Sequence, residues 1–374
     1  MRRLRVLVVI DSLGLGGAER LLVAFATAAS SAGLDVEVAS ISSSEDPRNE
    51  MLVELRTVGI EPQFLGIPRL LSARAVPKLV QAIRTSGCDV VHAHLEYAAT
   101  LATPAARLAG KPIVSTFHHV PSGRLSWRGA VRERLAVAVA SRGQRTIFVS
   151  RASMAEFAHR YPRWQRRWMV VPNGIDLAHF TPDAASFPDD LGIPSGAAVS
   201  VLPAALRGYK GHEAAIEAWP EVRAAVPNAV LLFAGSGPQE LALRALAEKR
   251  EVAGSVVFAG FRTDVARLLQ AASLVVLPSE SEALPTVLME AAACGRAAVA
   301  STAGGIPEVV QDHVTGLLVP PRDPEALAAA VTELLVNEGR RREMETAARD
   351  RAEAQFSLTH WAGQLREVYE SAIG

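Results

Sequence analysis

Only two cysteines, Cys88 and Cys294, occur in 374 residues, and neither has a His or Cys partner at metal-ligand spacing. Both are expected to be reduced, buried thiols in a reducing compartment, which argues against a disulfide framework or a zinc site. Aromatic residues make up just 5%, and lysine occurs only at 78, 111, 210 and 249. No stretch approaches the roughly 20 apolar residues needed to cross a bilayer. The basic start Met1–Arg5 leads into Val6–Ile10, too short for the core of an export signal. A cytoplasmic protein, soluble or peripheral on the inner face of the membrane, is expected.

What is present suits two ordinary α/β domains. Hydrophobic residues reach 49%, and the length fits two cores of roughly 150–200 residues each. Net charge is zero but unevenly spread. Residues 1–180 carry 23 Lys+Arg against 14 Asp+Glu, and the rest of the chain carries the opposite surplus. Eleven arginines fall within Arg124–Arg167, against Glu133 and Glu156, which points to an anionic partner for the first half.

Strand and helix signals alternate. Leu4–Ile10 is a continuous apolar run followed by a Gly-rich turn and a helical pattern at Ala18–Ser31. Val36–Ile41, Val90–His92, Ile113–Phe117, Thr146–Val149 and Met169–Val171 read as further strands. After the Pro/Asp/Gly-rich stretch Phe180–Ser195 the pattern restarts, with strands at Val199–Leu202, Val230–Phe233, Val256–Phe258, Leu274–Leu277 and Ala297–Ala300. Helices are predicted at His212–Val226, Pro238–Lys249, Asp264–Ala271, Thr286–Cys294 and Ala326–Asn337. Buried strands alternating with helices imply parallel sheets covered on both faces. The domain boundary is placed near 180–196.

Two loops carry the chemistry. Gly14-Leu15-Gly16-Gly17-Ala18-Glu19 joins the first strand to the first helix, where glycines let backbone N–H groups approach a phosphate. A dinucleotide fingerprint fails at its third glycine, where Glu19 stands, although Asp35 and Glu37 would suit a ribose; a turn without ligand is the plainer alternative. The second loop, Ser279-Glu280-Ser281-Glu282-Ala283-Leu284-Pro285-Thr286-Val287-Leu288-Met289-Glu290, follows an apolar strand and opens a helix. Two carboxylates bracketing a helix start suit hydroxyl-rich partners, with the free N–H groups offered to a diphosphate. Elsewhere such a pair would be surface charge.

The second loop resembles the Glu-x7-Glu signature of the family 4 retaining glycosyltransferases, whose fold is called GT-B. Other segments resemble that family in order. They are Gly16-Gly17-Ala18-Glu19, Thr116-Phe117-His118, Val171-Pro172-Asn173-Gly174-Ile175-Asp176, Leu206-Arg207-Gly208-Tyr209-Lys210-Gly211-His212, Phe258-Ala259-Gly260-Phe261-Arg262, Gly304-Gly305-Ile306-Pro307-Glu308 and Thr315-Gly316-Leu317. The resemblance implies two Rossmann-like doubly wound domains facing across a cleft, residues 1–180 and 181–355, with the C-terminal segment 356–374 returning to the first. It implies transfer of a sugar from a nucleoside-diphosphate sugar to a hydroxyl, with retention.

By the same resemblance, Lys210 neutralises the leaving diphosphate, Glu290 accepts from the ribose and Glu282 holds sugar hydroxyls. His118 contacts the donor sugar and Gly16-Gly17 back the phosphates. Phe261 and Arg262 form the base turn, and Leu284, Pro285 and Thr286 open the phosphate-binding helix. No metal or other cofactor is implied, and the sequence has no Asp-x-Asp motif. Without a cation, Lys/Arg and helix dipoles must meet the developing charge. The family usually has an Arg five residues before the Lys; here Ala205 stands there, and Arg207 shares its face if the segment is extended. The alternative leaves Arg207 in solvent and the phosphate clamp weaker.

His92, His94 and His119 cluster with His118 near strand ends, and no carboxylate or Cys is expected to complete a metal site there. The Arg-rich segment, with Trp127, Trp164 and Trp168, suits an anionic membrane surface. A solvated helix face is the alternative, and no motif supports nucleic acid. The acceptor is expected to be a lipid-linked or cell-envelope glycan. Two other classes fit the residues: a sugar-nucleotide epimerase-like enzyme and a non-catalytic sugar-nucleotide-binding protein.

Overall fold

The structure, a computed structural model, describes residues 2–14, 16–67, 72–121 and 126–374; Leu15 of the glycine turn and Arg124 of the basic segment lie outside them. The chain divides into two compact units, Met1–Gly174 with Leu358–Gly374, and Ile175–Ser357.

The first unit runs β1 (Leu4–Ile10), α1 (Gly17–Ala29), β2 (Leu34–Ser40), α2 (Leu52–Thr57), β3 (Gln63–Phe64), α3 (Ala75–Ser86) and β4 (Val90–His94). It continues with α4 (Glu96–Leu108), β5 (Ile113–Phe117), α5 (Trp127–Ala140), β6 (Arg145–Phe148), α6 (Arg151–Arg160) and β7 (Trp168–Val170). All strand pairs are parallel, in the order β3-β2-β1-β4-β5-β6-β7. β4 and β5 are buried along their whole length, as strands covered by helices on both faces must be.

The second unit runs β8 (Ala198–Leu202), α7 (His212–Ala225), β9 (Ala229–Phe233), α8 (Glu240–Lys249), β10 (Val256–Phe258), α9 (Val265–Ala271) and β11 (Leu274–Leu277). α10 (Thr286–Ala293), β12 (Ala298–Ser301), α11 (Ile306–Val309), β13 (Gly316–Val319), α12 (Pro324–Val336) and α13 (Glu338–Gln355) complete it. Its parallel sheet has the order β10-β9-β8-β11-β12-β13.

Strand order reverses between β1 and β4 in one sheet and between β8 and β11 in the other. At such switch points the loops leaving neighbouring strands diverge, and the crevice beyond the strand C-termini takes ligands in doubly wound folds. The candidate segments therefore share one kind of place, beyond the C-terminal ends of strands. The glycine turn follows β1, His118 follows β5, the Lys210 turn follows β8 and the two-glutamate loop follows β11.

The last helix, α14 (Leu358–Ile373), belongs to the first unit. Its Trp361 packs edge-on to Phe25 of α1, and Leu365, Val368 and Tyr369 fill the same core. Buried Arg366 donates to the carbonyls of Arg2, Ala32 and Gly33 and pairs with Glu370, so its charge is placed on acceptors rather than left in the apolar layer. Phe356 remains with the second unit, where its carbonyl accepts from Ile175 N–H at 2.8 Å.

The units change over between Gly174 and Ile175, ahead of the polar stretch 180–196. That stretch reads as a linker from its Pro, Asp and Gly content. Yet it contributes Phe187, Leu191 and Ile193 to an apolar cluster with Val199, Val201, Leu232 and Leu268. Three spaced apolar side chains suffice to pin it to the second unit, at about 25 cal/mol per Å2 of buried apolar surface.

Candidate functional site

In the second unit, β8 ends at Leu202 and the chain closes a 3-10 turn, Gly208–Lys210, before α7. Gly211 sits at φ 79°, and a Cβ there would lie 2.2 Å from the Pro278 carbonyl oxygen. Only glycine allows both that backbone conformation and that approach. The approach locks the turn onto the loop leaving β11, with Glu280 N–H donating to Tyr209 O at 2.8 Å. Lys210 Nζ consequently meets Glu282 Oε1 at 2.7 Å, with side chains 21% and 10% exposed. Glu282 is fixed from behind as well. Gly304 lies at φ 53°, where a Cβ would fall 2.0 Å from the Glu282 carbonyl oxygen, and Gly305 N–H donates to that oxygen at 3.0 Å.

Leu284 and Pro285 are buried and lead into α10, whose N-terminus has no side-chain cap. Its first amides and positive dipole end thus stand open to an anion. Glu290 lies half-buried on the same helix. The two-glutamate motif thereby brings together a cation, a carboxylate and an uncapped helix start.

The remaining residues of this unit divide. Phe261 is 51% exposed, a large apolar ring offered to solvent. Arg262 instead is held by Asp264 through two hydrogen bonds and by Asp190 at 2.6 Å, so its guanidinium is committed within the unit. Ala205 and Arg207 are both exposed with Leu206 fully buried between them, but the segment is not the extended strand the alternation assumed. Arg207 N–H donates back to Ala205 O at 2.7 Å, which bends the chain after β8 has ended. Among the described residues no carboxylate pairs with Arg207.

In the first unit, Gly16 is the N-cap of α1 and Gly17 its first residue, with open space where a Cβ would stand on Gly17. Glu19, three residues past the cap, folds its carboxylate back over Gly16 and is pushed above the usual carboxylate range by burial. Asp11 directly follows β1. It accepts from Ala98 N–H at 2.6 Å and Tyr97 N–H at 3.4 Å, at the start of α4. Burial, helped by Glu96 and Glu19, raises it to about 7 against the lowering effect of those two amides.

His118 follows β5, half-buried, and its ring stacks on His94. Its Nε2 is 2.9 Å from His94 Nδ1, and its Nδ1 is buried with no hydrogen-bond partner among the described residues. His94 Nε2 lies 3.3 Å from His92 Nδ1, which is also 2.7 Å from the Tyr369 hydroxyl; His92 Nε2 meets Thr116 Oγ1 at 2.7 Å. Burial first, then the neighbouring imidazoles, keeps all three histidines neutral, with His92 pushed down to about 3. Leu95, directly after His94, has φ 74° and ψ 173°, a region otherwise left to glycine.

Two expectations need correction here. Carboxylates do reach the histidine cluster: one ligand atom each from Glu96, His119 and Glu133 lies within 4.8 Å of the others. Their spacing would suit a cation, but Arg132 and Arg160 already occupy Glu96 and Glu133, with Tyr161 donating to Glu133. The tryptophans also part company. Trp168 donates to Ser141 Oγ and packs on Phe148, and Trp164 stacks on Tyr161, so both are half-buried against the core. Only Trp127, 72% exposed, remains available to a surface.

Comparison with known proteins fits this geometry. Residues 15–179 match the family model described as Glycosyltransferase Family 4, and residues 183–351 match that of Glycosyl transferases group 1. A glycogen synthase of Mycobacterium tuberculosis is 34% identical over 291 residues, covering 76% of this chain and 69% of the relative. This chain belongs to glycosyltransferase family 4. The family enzyme is a glycosyltransferase, which removes the epimerase-like and non-catalytic alternatives. A D-inositol 3-phosphate glycosyltransferase of Salinispora arenicola is 28% identical and covers 96% of this chain and 88% of its own. Among solved structures, Anabaena HepE in complex with UDP superposes with a TM-score of 0.84 at 23% identity, covering 98% of this chain and all of that one. Sucrose-phosphate synthase from Thermosynechococcus elongatus gives 0.80 at 23% identity, covering 98% of both chains. Both likenesses establish the fold, the paired parallel-sheet α/β units of GT-B enzymes.

Proposed function

We propose that this glycosyltransferase moves a sugar, with retention and without a metal ion, from a nucleoside-diphosphate sugar to a hydroxyl of a lipid-linked or cell-envelope acceptor. The observation that carries the donor assignment is the Lys210–Glu282 pair beside the uncapped start of α10, at the switch point of the second sheet. A diphosphate there receives a cation and helix amides at once, which is how negative charge is met where no metal is used. Lys210 releases Glu282 to the sugar hydroxyls as the phosphates take its place. Glu290 serves the ribose, exposed Phe261 offers a face to the base, and Gly17 leaves room for the phosphates. Arg207 is the second phosphate cation, and His118 contacts the sugar. HepE has been crystallised with UDP and with UDP-glucose, which favours a uridine nucleotide.

Thermal-shift screening against UDP, GDP, ADP and their sugar conjugates tests the reading. A shift with one nucleoside diphosphate, unchanged by EDTA, is expected. No shift with any of them would overturn it.

The acceptor side is supported by α5. Trp127, Val131 and Leu135, four residues apart, form an exposed apolar stripe (72%, 58% and 41% exposed), flanked by exposed Arg128 and Arg134. Apolar side chains that enter the headgroup layer, framed by arginines, suit an anionic lipid surface. α5 also touches the histidine end of the sheet through Arg132, which pairs with Glu96 at the start of α4. Sedimentation with phosphatidylglycerol vesicles should pull the protein down, and phosphatidylcholine vesicles should not. Replacing Trp127, Val131 and Leu135 by serine should abolish the difference. Equal binding to both vesicles would count against a lipid surface.

A further inference from the structure

The buried chain Tyr369–His92–His94–His118 has a direction, and that direction decides what His118 can offer a ligand. Each imidazole is neutral, so each has one N–H and one lone pair. His92 and His94 alternate along β4 onto the same face, and their rings are 4.1 Å apart. If Tyr369 donates to His92 Nδ1, His92 carries its proton on Nε2 and donates to Thr116 Oγ1. His94 then needs its proton on Nε2, since two lone pairs would otherwise face each other at 3.3 Å. His94 Nδ1 accepts from His118 Nε2–H, and His118 Nδ1 is left as a bare acceptor. If Tyr369 accepts instead, all three rings reverse together and His118 Nδ1 becomes a donor. The state of the C-terminal helix hydroxyl is thereby read out at His118.

Phenol chemistry selects between the two. A phenolic O–H is the stronger donor and its oxygen the poorer acceptor, whereas an aliphatic hydroxyl such as that of Thr116 accepts well. Imidazole nitrogen is a good acceptor for the first, and imidazole N–H is well received by the second. Both ends of the chain therefore favour the same direction.

We propose that Tyr369 and His92 are positioning residues that hold His118 in its Nε2–H tautomer, so that Nδ1 meets the donor sugar as an acceptor for one hydroxyl. The proposal rests on the reading of His118 as the sugar contact. It accounts for a buried Nδ1 without a partner among the described residues and for the strained Leu95, which follows the end of β4 where His94 reaches His118. The ring nitrogen that faces a ligand is commonly set by the hydrogen bond made at the other. Here that setting comes from a helix 277 residues away in sequence from His92.

Long-range 1H–15N spectra of the full chain with labelled histidine read each tautomer directly, with His92, His94 and His118 assigned by single His→Gln variants. The Nε2–H form is expected at all three in the wild type. Tyr369→Phe keeps the ring but removes the phenol. Thr116, which can donate as well as accept, is then the hydroxyl left at His92 among the described residues, so the bias toward Nε2–H is lost and the Nδ1–H form should gain population at all three rings. With the acceptor at His118 no longer held, kcat/KM for the nucleotide sugar selected by the thermal-shift panel should fall. Thr116→Val leaves Tyr369 in control, so the rings should stay Nε2–H, which provides a second variant should the first fold poorly. Nδ1–H at any of the three in the wild type, or unchanged tautomers in Tyr369→Phe, overturns the proposal. His118→Ala separates the two layers: unaltered turnover there would sink the sugar-contact reading while leaving the tautomer result standing.

Discussion

Replacing Lys210 by methionine tests the donor site most directly, because this lysine is held by Glu282 in the structure and serves the diphosphate in the proposed reaction. In the free protein it holds Glu282 at 2.7 Å with both side chains largely buried. At an effective dielectric of about 20 that attraction is worth about 6 kcal/mol before the cost of desolvating both groups, which offsets most of it. Methionine keeps the length and apolar stem but leaves a mostly buried carboxylate without its cation, so stability should fall by about 1–3 kcal/mol. In the reaction the charge on the departing diphosphate loses one preorganised donor, typically worth about 3–4 kcal/mol. At 1.36 kcal/mol per decade that is about a 100- to 1,000-fold loss of kcat/KM. Release of nucleoside diphosphate from the preferred nucleotide sugar gives the rate, and urea unfolding gives the stability. The double variant Lys210→Met/Glu282→Gln separates the two effects: removing the orphaned charge should restore stability but not turnover. A single variant within threefold of wild-type kcat/KM, or a double variant that regains activity, would refute the role given to Lys210.

Three further outcomes follow from individual contacts. Arg207→Ala should lower turnover at least tenfold if its exposed guanidinium meets the phosphates, as steady-state kinetics with the same nucleotide sugar would show; unchanged kinetics would return it to solvent. Gly304→Ala places a methyl group 2.0 Å from the Glu282 carbonyl at a left-handed φ, so the loop must move. A loss of about 1–3 kcal/mol in unfolding stability and weaker nucleotide-sugar binding by calorimetry are expected. Asp11, with its folded pKa raised from 3.8 to about 7, binds more protons in the folded than in the unfolded state between those values. Its contribution is intact below about pH 4 and is lost as pH rises to 7, by up to about 4 kcal/mol. Asp11→Asn should therefore gain stability relative to wild type as pH is raised from 4 to 8 in urea melts, and a constant difference would contradict the buried carboxyl.

The parts of the fold legible in the sequence are those whose burial is continuous. Leu274–Leu277 stands out as an unbroken apolar run because a central parallel strand is covered on both faces; Val256–Phe258 is also all apolar, Ile113–Phe117 is interrupted only by Ser115 and Thr116, and the observed strands have those same limits. β3 has only two residues, too few to show a period. The 18-residue α13 escaped for the opposite reason. It buries little beyond Met344, Ala348 and Ala352, and its Arg/Glu-rich face, including the Arg342–Glu338 and Arg349–Glu353 pairs, masks the apolar signal. The misjudged tryptophans show the limit of composition: Trp164 and Trp168 sit among arginines in sequence but pack on Tyr161 and Phe148 in space.

The candidate residues of the two units differ in legibility for a topological reason. In the second unit Lys210 and Glu282 lie on segments that leave neighbouring strands, with Glu290 on the helix that follows, and they meet because β8 and β11 are neighbours at the switch point. A motif on one loop therefore implies its companion on the next. In the first unit the His118 environment needs β4, β5 and a helix contributed by the far end of the chain. His92, His94 and Thr116 could be suspected from their strand ends, but nothing local announces that Tyr369 completes them. The same helix anchors itself through Arg366 on three carbonyls of the opposite terminus, one turn before Tyr369. That staple fixes the phenol against His92, so the C-terminal helix couples the integrity of the first unit to the chemistry of its histidines. Loosening Arg366 should then disturb the tautomer at His118 without touching any residue of the donor loop.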